Sequence, residues 1–105
     1  MEQISFQKLL KELEAEAYGE RTHGGKSMPP NVHFFKNQFH TLFQKLYSLS
    51  NKNNVGLLYD SERDIERRLN YLIERKTIGE QLSLNLIEIL SSIRSVISLV
   101  ENDRN

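Results

Sequence analysis

Three short stretches of this chain carry residue types that do chemistry. The first is Gly25-Lys26-Ser27, the ending of a phosphate-binding loop. Such a loop needs a glycine five places before Gly25, a buried strand ahead of it and a helix N-terminus behind it. Backbone amides and the helix dipole then converge on the phosphates. Position 20 is Glu20; the glycine stands one place early, at Gly19. Pro29 and Pro30 follow and lack the amides that a phosphate cradle uses. The stretch therefore reads as an interhelical loop, mildly basic through Arg21, His23 and Lys26.

The second stretch is Glu20-Arg21-Thr22-His23, which has the Glu-x-x-His spacing of di-iron helical bundles. Those centres need two such pairs and two further glutamates, all directed inward from helices. This chain has one pair, in a glycine-rich segment. The third is His33, Asn37 and His40, which share one face of a helix at four- and three-residue steps. Two imidazoles on one face would hold a metal given a carboxylate from elsewhere, but no third ligand is specified by spacing. The expectation is a polar helix edge and neither metal nor cofactor. No Gly-x-Ser-x-Gly elbow and no His-Glu-x-x-His motif occurs. The chain is read as non-enzymatic.

The elements that would position such groups are helical. Ile4, Phe6, Leu9, Leu10, Leu13 and Ala17 recur at three- and four-residue steps and predict a helix over 2–18, with Gly19 as its stop and its glutamates on the polar faces. Residues 19–31 hold three of the five glycines and both prolines and read as a flexible loop. Asn31 would cap a second helix over 32–49, whose stripe is aromatic: Phe35, Phe39 and Phe43 with Leu42 and Leu46. A third helix is expected over 61–76, opened by Asp60 or by a Ser61–Asp64 capping box, with Asn54–Leu58 before it as loop or a single turn. The last helix is expected over 78–100 with Thr77 and Glu80 as its capping box, and residues 101–105 as a fraying end. Its apolar residues occupy most of its circumference, which marks a central helix or one shared with a partner.

These four helices in 105 residues predict one all-α domain over 1–105, a four-helix bundle of up-down arrangement. Fourteen basic and fourteen acidic residues balance, so no whole-molecule field draws in nucleic acid or an anionic membrane. The absence of cysteine excludes disulfides, thiolate catalysis and cysteine-bound metals. No continuous apolar run approaches the roughly 18 residues of a membrane span, and the N-terminus lacks the pattern of a secretory signal. A cytoplasmic protein that does not enter membranes is the expectation.

Function is then expected to lie in a surface. The first reading is a small protein-binding or regulatory module, an adaptor, an immunity-type inhibitor or a chaperone, that also forms a homodimer. Its interface would use Phe35, Phe39, Leu84, Ile87, Val96 and Leu99, because aromatic and spare apolar surface favours association. The alternative is a DNA-binding regulator that uses the arginine-rich face of residues 63–76: Arg63, Arg67, Arg68, Arg75 and Lys76. Against it, Glu62, Asp64, Glu66 and Glu74 interleave with these bases.

Overall fold

The computed structural model describes residues 6–20 and 22–104. The fold is an all-α four-helix bundle, built from α1 (Phe6–Tyr18), α2 (Val32–Leu49), α3 (Val55–Glu74) and α4 (Gly79–Arg104). Ile4 and Arg21, invoked above, lie outside the described residues. Between α1 and α2 sit two strands of two residues each, β1 (Thr22–His23) and β2 (Lys26–Ser27), paired antiparallel. Gly24 and Gly25 turn the chain between them at φ of 61° and 83°, the pair of positive values that a tight two-residue hairpin turn requires. The loop expected over 19–31 is therefore in part a small hairpin.

Each helix packs on its neighbours around a ring. Cross-links run from the end of α1 to the start of α2 (Glu16 to Asn31) and from its middle further along α2 (Glu12 to Gln38). Lys36 meets Asn70 and Tyr47 meets Glu62, so α2 and α3 also run antiparallel. Residues 67–72 of α3 face 85–89 of α4, and 61–65 face 92–96, again antiparallel. Arg94 of α4 pairs with Glu14 of α1 and closes the ring.

The core is where the apolar periodicity puts it. Leu9, Leu13 and Ala17 of α1 and Leu58, Ile65, Leu69 and Leu72 of α3 are buried. So is α4's stripe from Leu82 to Val100. The phenylalanines of α2 form its centre, with Phe39 and Phe43 edge-to-face at 5.4 Å between centroids, a favoured aromatic geometry. Within residues 79–102 of α4, an 18-residue window reaches a mean hydropathy of 1.4, so the helix is long and apolar enough to cross a bilayer by length and composition. In this fold its apolar stripe is spent on the bundle core.

The helix ends explain where expectation and structure part. Gly19, at φ 67°, ends α1 through two crossed bonds, Glu20 N–H to Ala15 C=O and Gly19 N–H to Glu16 C=O. Asn31 caps α2 as expected, accepting from the Phe34 N–H at 3.0 Å. The third helix starts at Val55, not at Ser61: a 3-10 turn over Lys52–Asn54 leads into it, and burying Leu58 in the core favours helix over loop. Ser61 and Asp64 are then interior to α3 and form no capping box; Asp64 instead accepts from Arg67 and Arg68. Thr77 gives its N–H to Leu72 C=O, which closes α3. The final helix continues past Val100 to Arg104. Glu16, expected on a polar face, is buried at the α1–α2 junction.

Candidate functional site

The outward ridge of α3 gathers the exposed cations of the sequence reading. Arg63, Arg67, Arg68, Arg75 and Lys76 are all exposed. Their charges are not bare. Arg63 donates to Asp60 at 3.2 Å, Arg67 to Asp64 at 3.3 Å, and Arg68 Nε to the other oxygen of Asp64 at 3.2 Å. Exposed pairs of this kind contribute little to stability and are screened by salt, so either member can exchange for a better partner. Arg75 lies over the ring of Tyr71, 5.3 Å from its centroid, and Tyr71 is itself 56% exposed.

Beside this ridge α3 and α4 enclose an open groove of about 430 Å³. Arg67, Arg68 and Tyr71 form one wall, Asn85 and Glu88 the other, with Leu72 and Ile89 beneath. Two guanidinium groups, a phenol, an amide and a carboxylate around an apolar floor can hold a polar-rimmed segment with one apolar side chain inserted. Arginine and tyrosine are the residue types that concentrate binding energy at interfaces. Tyr71, Asn85 and Glu88 were not singled out from sequence. The available signal was their level: antiparallel helices joined by a short turn bring 67–72 opposite 85–89.

The candidate interface residues divide. Phe35 and Phe39 have no exposed surface, and Val96 is also buried. They belong to the core, because α2 and α4 turn those stripes toward each other and α1; a folded copy cannot present them to a partner. Ile87 is partly buried and packs on the core. Leu84 and Leu99 are 51% and 49% exposed, but serines 91, 95 and 98 lie between them on the outer face of α4. That face is therefore small and polar at its centre.

A second polar cluster joins α2 to α3. Glu62 accepts the Tyr47 hydroxyl at 2.7 Å through one oxygen and lies 3.4 Å from His40 Nδ1 through the other. Tyr59 packs against the Tyr47 ring at 4.9 Å. Burial raises the Tyr47 phenol well above its ordinary range, and the hydrogen bond to Glu62, with the negative charge there, raises it further. His40 thus serves a helix–helix contact, away from exposed His33. Among the described residues, no three of His, Asp and Glu come together as a metal site. Gly25-Lys26-Ser27 lies in the hairpin, and the next helix begins only at Val32, so the motif lacks the helix N-terminus a phosphate loop uses.

No protein family, curated protein or solved structure matches this chain.

Proposed function

We propose that this chain is a small, non-enzymatic interaction module that docks a protein partner on the groove between α3 and α4. The observation that carries this reading is the juxtaposition of Arg67, Arg68 and exposed Tyr71 with Asn85 and Glu88 around an apolar floor. An adaptor, an inhibitor of the immunity type and a chaperone all work by such a surface, in the cytoplasm on this reading. The mixed signs of the groove favour a protein, whose own surface carries both charges.

The second reading is a DNA-binding regulator, and the exposure of all five cations from Arg63 to Lys76 favours it. Asp60, Asp64, Glu66 and Glu74 on the same helix weigh against it, since they would meet phosphates with like charge. Retrieval of tagged chain at low salt, with and without nuclease, separates the two. A protein partner should persist after nuclease and be lost with Arg68→Glu or Tyr71→Ala. Recovered material that nuclease removes, and that Arg67→Glu with Arg68→Glu abolishes, would transfer the function to the regulator.

A further inference from the structure

We infer that the chain pairs with a second copy of itself through α3, the two α3 helices lying antiparallel across a twofold axis. The inference rests on the reading of α3 as a docking surface and goes further by naming the occupant. The first observation is the order of charge along the helix. Residues 60–66 contain Asp60, Glu62, Asp64 and Glu66 against one base, Arg63; residues 67–76 contain Arg67, Arg68, Arg75 and Lys76 against one acid, Glu74. This order also suits the macrodipole of α3 itself, so it does not by itself require a partner. Placement adds to it. Glu62 is engaged by Tyr47 and His40, whereas the side chains of Asp60, Arg63 and Arg67 are 72%, 79% and 76% exposed.

A helix acidic in one half and basic in the other is complementary to itself when reversed. A twofold axis makes every such match twice, which is the self-complementarity of a closed dimer. The pattern also specifies a register. Gly56, Asp60, Arg63, Arg67 and Tyr71 follow one another at steps of four, three, four and four, a single outward stripe. Setting Asp60 opposite Arg67 of the second copy sets Arg63 opposite its Asp64, and Gly56 opposite its Tyr71. The matches away from the axis join opposite charges or place a ring over a glycine, while at the axis the two Arg63 side chains lie side by side and each reaches toward the other copy's Asp64.

Gly56 is the second, independent observation. It stands in the first turn of α3, where a glycine is a poor helix former, and a Cβ built there meets nothing within 4 Å. Nothing packed against it inside the bundle calls for a glycine. Across the proposed interface it lets a Tyr71 ring lie against the helix backbone. The ridges of α3 also leave a shallow groove of about 450 Å³ along Arg63, Glu66, Arg67, Asn70, Tyr71 and Glu74, the relief that helix-on-helix packing uses.

The test is sedimentation equilibrium of the full chain at low and high salt, with charge reversals. Asp60→Arg and Arg67→Asp should each raise the dimer dissociation constant by at least about tenfold. Combined in one chain they should restore it to within roughly threefold of the original, because every copy then carries both reversed partners. Far-UV circular dichroism should be unchanged, since both sites are exposed. The cysteine-free chain permits a second readout. Arg63→Cys, beside the axis, should form an intermolecular disulfide on mild oxidation, and Ser98→Cys on α4 should not. A chain that stays monomeric up to about 1 mM overturns the inference. So does a dimer split by Leu84→Glu but not by Asp60→Arg, or a double reversal no better than either single one. A monomer that still captures a protein through Tyr71 defeats this inference alone and leaves the proposed function standing.

Discussion

Glu16 ties the last turn of α1 to the N-cap of α2 with one carboxylate. It is buried, and one of its oxygens accepts the backbone N–H of Asn31, the capping residue of α2. A negative charge there also faces the positive end of the α2 dipole. Replacing it removes a charged acceptor and leaves an amide to find another. Glu16→Ala should therefore lower stability in urea by about 2 kcal/mol, against a few tenths for an exposed glutamate. Tyr47 makes a prediction in pH. Its folded phenol ionises at higher pH than an unfolded one, so its contribution is complete below about pH 10 and is lost as pH rises beyond that. Tyr47→Phe should flatten this alkaline decline in stability, and an unchanged pH profile would show that ionisation of the buried Tyr47 phenol does not govern it.

At the scale of elements, the bundle is held together at its turns as much as along its stripes. α1 and α3 end by the same pair of crossed backbone bonds, yet the residue in the left-handed conformation is Gly19 in one and Lys76, at φ 52°, in the other. A side chain there costs about 1 kcal/mol that glycine does not. Lys76→Gly should raise stability by up to that amount in denaturant unfolding, and a loss of stability would mean that the lysine side chain contributes more than its backbone strain. This also shows what a sequence makes legible. Gly19 and Asn31 announce their helix ends because their types match the local geometry. Lys76 does not, and neither does Val55, since the start of α3 follows from burying Leu58 and not from any capping residue. The stripes of α2 and α4 were readable as apolar, but periodicity cannot separate a stripe that faces a neighbouring helix from one that faces a partner. Phe35, Phe39 and Val96 belong to the first kind. The groove residues Asn85 and Glu88 carry no local signal, because their neighbours lie some twenty positions away in the chain.

For the whole molecule, one aromatic and aliphatic core serves all four helices, leaving function to the outside. Phe39 sits at its centre with no exposed surface, so Phe39→Ala should cost about 3–5 kcal/mol and unfold much of the bundle. A loss below about 1 kcal/mol, read from the thermal midpoint or from urea, would place it at the periphery. Two exposed helical faces carry the candidate binding residues, α3 with its arginines and Tyr71, and α4 with Leu84, the serines and Leu99. Binding is proposed to lie on α3 and its groove. The most direct measurement is photo-crosslinking in intact cells, with the reactive side chain placed at Tyr71 in one variant and at Leu99 in another. The two positions are almost equally accessible, at 56% and 49%, so a difference between them reports contact and not exposure. A discrete protein adduct is expected from position 71 and none from position 99. An adduct from position 99 alone would contradict this proposal and move the interface to α4.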